Sequence, residues 1–75
     1  MIKVGQIYKS NLTLAIRTIA FVDDEEVSII NIDGFVDRWK LDEIPISDWK
    51  LLAGYPTWQE AVNSPEFRGE KQCRI

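Results

Sequence analysis

The hydrophobic rhythm of the chain changes once, near residue 54. Before that point apolar residues recur with the period of two that marks strands; beyond it they recur at three and four. "GQIYK", residues 5–9, reads as a short first strand in which Val4, Gln6 and Tyr8 alternate against Ile7. "TLAIRTIAFV", residues 13–22, puts Leu14, Ile16, Thr18, Ala20 and Val22 on one face and Ala15, Arg17, Ile19 and Phe21 on the other. Apolar groups on both faces predict a long strand that bends, through a bulge, and serves two layers. The acidic run Asp23 to Glu26 is a solvated turn, because four neighbouring carboxylates repel one another in any buried setting. "VSIINI" and "FVDRWKL" follow as third and fourth strands, rich in β-branched and aromatic residues.

The turn between them, "NIDG" at residues 31–34, decides which side chains face inward. Asn first and Gly fourth suit a type I turn with glycine in the left-handed region, the three-residue hairpin loop with a bulge. Asn31 then pairs with Phe35, Ile29 with Asp37 and Val27 with Trp39. One face carries Val27, Ile29, Phe35, Trp39 and Leu41; the other carries Ile30, Ile32, Val36, Arg38 and Lys40. A two-residue Asp-Gly turn is the alternative, and it sets Phe35 and Trp39 beside Ile30 and Ile32.

"DEIPIS" has a proline within an apolar pair, which predicts a single 3₁₀ turn carrying Ile44 and Ile46 inward rather than a continuing strand. "DWKLLA" is the last strand. The triplet Trp-Lys-Leu occurs at 39–41 and again at 49–51, and in each copy Trp and Leu share a face while Lys points away. The echo is two core-lining strands, and both tryptophans are expected to be largely buried. After Gly54-Tyr55-Pro56, "TWQEAV" opens a helix. Thr57 and Glu60 form a capping box worth about 1 kcal/mol, and Trp58, Ala61 and Val62 make one apolar stripe. Ser64 and Pro65 suit the cap and first position of another turn. The organisation is therefore a β domain over 1–53 and a helical extension and tail over 54–75, together one folding unit.

Composition narrows the reading. At 75 residues the chain holds one small domain with a thin core, helped by eight aromatic rings. The net charge of −3 argues against a protein that coats nucleic acid, and is too small for a mimic of DNA. Cys73 is the sole cysteine, so no disulfide forms within the chain, and the opening residues lack the apolar run of a signal peptide. No membrane association is expected, and the expected compartment is the cytoplasm.

The order of elements — five short strands, a bent second strand, a tight third-to-fourth hairpin and a 3₁₀ turn before the last strand — is that of a five-stranded SH3-like barrel. With "VGQIY" at 4–8, "IINIDGFVDRWKL" at 29–41 and "DWKLL" at 48–52, the chain resembles a group of short SH3-like proteins of bacteria and their phages. The resemblance covers about two-thirds of the chain and rests on structural motifs. It implies a non-enzymatic accessory protein, from a phage or prophage and directed at a host protein, with no catalytic residue to carry over.

Candidate chemistry is sparse. The chain has no histidine, the commonest general base near neutral pH, and Cys73 lacks the partner a nucleophile needs. One cysteine without histidine excludes the usual zinc sets, and the acidic run lacks the alternating ligands of a calcium loop. No enzyme activity, metal, cofactor or small-molecule substrate is expected. Two partner classes remain. Arg38 and Lys40 share a face, Arg17 can join them beside Tyr8, and such a cluster would hold a short nucleic-acid strand, as KOW- and Tudor-like barrels do by fold analogy. The favoured partner is a protein. Ile30, Ile32 and Val36 on the outer face need a cover, which is either the helix or a partner, so Ile30, Val36, Arg38, Lys40 and Trp58 form the candidate partner surface.

Overall fold

The structure is a computed structural model that describes residues 2–68. Five strands follow in order: β1 (Gln6–Ser10), β2 (Ile16–Val22), β3 (Glu26–Asn31), β4 (Val36–Lys40) and β5 (Trp49–Gly54). Two short helices come next, α1 (Trp58–Val62) and α2 (Pro65–Arg68). The strands form one antiparallel sheet in the order β4-β3-β2-β1-β5. The sheet is open, with β4 and β5 as its edges, so the fold is mainly β without the closed ladder expected of a barrel. The edges nevertheless meet through side chains. Trp39 of β4 and Trp49 of β5 stand edge to face with centroids 5.9 Å apart, and the Arg17 guanidinium lies 5.5 and 5.0 Å from their rings. Among the described residues no helix is long and apolar enough to cross a membrane, and Cys73 lies outside them.

The hairpin register follows the turn chemistry. Gly34 N–H donates to Asn31 O at 2.9 Å, Asn31 N–H to Phe35 O at 2.8 Å, and Gly34 takes φ +93°, the left-handed conformation this loop requires. Val27 pairs with Trp39, Ile29 with Asp37 and Ile30 with Val36, which is the three-residue loop and not the Asp-Gly alternative. Val27 and Ile29 are wholly buried on one side of the sheet, its inner face. Phe35 is not part of that core. It is 70% exposed, because the hairpin end projects past the residues that cover the inner face.

Both expected features of the second strand appear, shifted in sequence. The bulge lies between Ile19 and Phe21, so Arg17 and Ile19 face inward, whereas beyond it Phe21 turns outward and Val22 turns in. The strand begins later than its hydrophobic pattern suggests. Residues 11–13 form a turn held by the Ser10 hydroxyl, which accepts from Leu12 N–H and Thr13 N–H at 3.1 Å each. Leu14 ends this turn in the left-handed region (φ 66°) and is exposed.

Two 3₁₀ turns replace the single one expected between β4 and β5, at Leu41–Glu43 and Ile46–Asp48, on either side of Ile44 and Pro45. They and Ile2 cover the inner core of Tyr8, Ile19, Val27, Ile29, Ile44 and Trp49. Ile44 is buried as expected, but Ile46 is 45% exposed, since the second turn rotates it to the rim. The triplets are likewise unequal. Trp49 is buried and Trp39 half-buried, because β4 is an edge strand. Leu41 packs on the core whereas Leu51 is half-exposed.

A second core lies on the opposite face of the sheet, under the helices. Ile7, Ala61 and Phe67 are its buried members, and Ile30, Tyr55 and Val62 pack at its margin. The Thr57 hydroxyl accepts from Glu60 N–H at 3.2 Å, so the receiving half of the capping box forms. Ser64 then makes the turn between helices: its hydroxyl donates to Ala61 O at 2.6 Å and accepts from Phe67 N–H at 3.3 Å. The helices therefore cover part of the outer face themselves, through Ala61 and Phe67 rather than Trp58, which stays 37% exposed.

One buried group in the sheet is left without a bond. Thr18 is wholly buried beside Ile7 and Ile30, and its hydroxyl has no hydrogen-bond partner among the described residues. A buried, unpaired hydroxyl costs about 1–3 kcal/mol. Thr18→Val keeps the shape and removes that cost, so chemical denaturation should show a gain of about 1 kcal/mol. A loss of that size instead would show that the hydroxyl is bonded.

Candidate partner-binding cleft

The register that pairs Glu26 with Lys40 also sets the loop before β3 beside the loop after β4. A backbone bond from Leu41 N–H to Glu25 O, 2.9 Å long, fastens them together. Within the acidic turn Asp23 organises the chain, its Oδ1 accepting from Glu25 N–H and Glu26 N–H at 2.8 Å each. Those two bonds hold its carboxyl below the ordinary carboxylate range. On the other side, the Gln6 side-chain oxygen accepts from the Tyr8 hydroxyl at 2.8 Å and from Lys3 N–H at 2.7 Å. This bond pair ties the N-terminal segment to β1 and brings Ile2 to the inner core.

Between these parts lies an open cleft of about 580 Å³ with a mainly apolar wall of Ile2, Tyr8, Val22, Leu41, Ile44 and Ile46. Asp23 and Asp24 stand at its rim. It adjoins a second depression of about 410 Å³, lined by Asp24, Glu25, Glu26, Asp42 and Lys40, with Asp24 and Leu41 common to both. Tyr8 forms the floor, its ring tilted against Trp49 at 5.9 Å. Burial pushes the Tyr8 phenol above its usual value, while Asp23 is pushed below its own. Both groups are moved away from neutrality, so neither can exchange a proton readily at pH 7. The cleft offers shape, apolar surface and negative charge.

The residues expected to form a partner surface are only partly brought together. Val36, Arg38 and Lys40 do share the outer face of β4 and are exposed. Ile30 is half-buried in the helix-side core, and Trp58 sits on α1. Arg38 is 3.8 Å from Glu26, a pair exposed enough to be worth little in stability. The bulge adds a residue that strict alternation turns inward: Phe21, 53% exposed, aligned through Ser28 with Arg38. The expected cluster of Arg17, Arg38 and Lys40 does not form. Arg17 lies on the inner face over Trp39 and Trp49, and the other two project from the opposite side. Among the described residues no group of three or more His, Cys, Asp or Glu is placed to hold a metal ion.

Comparison with protein-family models, with curated proteins and with solved structures finds no match to this chain.

The phenols predict an alkaline limit to stability. The Tyr55 hydroxyl donates to Glu66 at 2.6 Å, and that bond, more than burial, raises its pKa above the usual 10.0; burial raises Tyr8. Each phenol is harder to ionise folded than unfolded. Its contribution is therefore complete below about pH 10 and disappears as pH rises through the higher folded value. Thermal melts should hold level up to about pH 9.5 and fall beyond it, and Tyr55→Phe should shallow the fall. A Tyr55→Phe protein with an unchanged alkaline limb would show that the Tyr55–Glu66 bond plays no part in it.

Proposed function

We propose that the chain is a small, non-enzymatic protein-binding module of SH3-like architecture whose binding site is the cleft above Tyr8. The architectural part is supported by the strand order β4-β3-β2-β1-β5, with the last strand returning to β1 after 3₁₀ turns, and by the contact of Trp39 with Trp49 across the two edges. The functional part is carried by one observation: an apolar cleft of about 580 Å³ remains open in a domain too thin to spare buried surface. Burial raises the Tyr8 phenol and backbone bonds lower the Asp23 carboxyl, so these two groups are suited to recognition rather than acid–base chemistry.

A second reading places the partner on the outer face, where Phe21, Val36 and Ile32 are 53%, 61% and 56% exposed near Arg38 and Lys40. Nucleic acid is the less suited partner, because the cations are divided between the faces and carboxylates rim the cleft. Affinity capture from the native cells separates these readings. Ile46 and Val36 are both exposed, so Ile46→Asp and Val36→Asp each alter one surface without opening a core. A protein retained by wild type and by Val36→Asp, and lost with Ile46→Asp, supports the cleft. Loss with Val36→Asp alone moves the site to the outer face, and a nuclease-sensitive capture overturns the protein-binding reading.

A further inference from the structure

Given the cleft as a binding site, a reading on which this inference rests, its electrostatics specify the class of partner. Four carboxylates line the depression next to the apolar wall, and three of them, Asp24, Glu25 and Asp42, set its charge. Their side chains have no hydrogen bond or ion pair among the described residues, whereas Asp23 is satisfied by backbone N–H groups and Glu26 faces Arg38. They come from two different loops, which the Leu41–Glu25 backbone bond holds side by side. Like charges gathered this way repel one another, and Lys40 is the cation lining the same depression. A group that neutralises them while burying apolar surface relieves both defects of the free surface at once.

We propose that the cleft takes a cationic, apolar segment of a partner protein. An aliphatic or aromatic side chain seats against Tyr8, Val22, Leu41 and Ile44, and a lysine or arginine one or two residues away lies over Asp24, Glu25 and Asp42. Phosphate-bearing partners are disfavoured at this site, since nucleic acid and anionic lipid meet the same carboxylates with repulsion. A second copy is disfavoured too, because the chain carries a net charge of −3.

The test pans a display library of random ten-residue peptides on the full chain, then titrates an enriched peptide into isotope-labelled protein followed by amide NMR. Enriched sequences should carry an apolar residue within two positions of Lys or Arg, and should shift the amides of Tyr8, Val22 and Ile44. The exposed carboxylates can be neutralised without touching either core. Asp24→Asn with Glu25→Gln and Asp42→Asn should therefore weaken binding about tenfold, the sum of three solvent-exposed pairs. Binding should also weaken severalfold as salt rises from about 50 to about 300 mM. Enrichment of acidic or uncharged apolar peptides that shift the same amides overturns the cationic assignment and leaves the binding-module reading standing. Shifts confined to β3 and β4 on the outer face overturn the cationic assignment and the cleft as the site, and no enrichment at all overturns the binding-module reading as well. Concentration-dependent shifts at these amides without peptide assign the cleft to a second copy, against this proposal.

Discussion

Gly5→Ala should destabilise the fold by about 2–5 kcal/mol, a large share of what a domain of this size has to lose. Gly5 is buried, has φ +89°, donates its N–H to Ile19 O and accepts Tyr55 N–H, both at 2.9 Å. A methyl group there would overlap the Tyr55 carbonyl oxygen, which is backbone and cannot rotate away. Overpacking costs about 1–3 kcal/mol and the left-handed conformation another 1–2 for a residue with a Cβ, so the loss is about 2–5 kcal/mol. A chain of this length has about 4–11 kcal/mol to lose. Gly34→Ala is the control: its φ is +93°, but nothing lies within 4 Å of the added carbon. It should lose only about 1 kcal/mol in urea melts. Equal losses at the two glycines would show that the close approach of Tyr55 to β1 does not matter.

Trp49→Ala should cost about 3–5 kcal/mol, the usual range for removing a buried aromatic ring. Trp49 is 7% exposed and meets Tyr8, Trp39 and Arg17 at once, so its removal opens the inner core and frees both sheet edges. Trp39→Ala should cost about half as much, because the edge strand leaves that ring partly in water. Trp49→Phe keeps most of the volume and should remain folded, which makes the comparison measurable if the alanine variant is not. If Trp39→Ala proves the more damaging, the centre of the core lies at β4 rather than β5.

The difference between the two triplets shows where sequence reading succeeds and where it stops. The Asn31–Gly34 hairpin was legible because its determinants are local: a left-handed glycine and an asparagine at fixed offsets. The helix caps at Thr57 and Ser64 were legible for the same reason. Phe21 was not, because a bulge near Ala20 reverses the alternation that placed it, and the bulge leaves no fixed residue signature. Phe67 was missed as a core residue because one aromatic in a polar, proline-led turn carries no periodicity. The cleft is a product of pairing. The acids before β3 and the isoleucines after β4 lie well apart in sequence, and each looks like an ordinary turn. The Val27–Trp39 register, once fixed, sets residues 25 and 41 opposite one another, so this neighbourhood was implicit in the hairpin.

The placement of β1 has a consequence for the order of folding. β1 starts the sheet, yet its outer partner is β5, so Ser10 waits for Trp49 while Asn31 finds Phe35 across a three-residue loop. Closing the longer loop costs about 2 kcal/mol more chain entropy than closing the hairpin. The β2–β3–β4 meander is thus the natural nucleus, and docking of β5 and the helices on β1 comes late. During synthesis the first strand emerges early and must stay unpaired on one edge until residue 54 has left the ribosome. Rapid unfolding should accordingly result from damage at the β1–β5 seam, and slow refolding from damage at the meander.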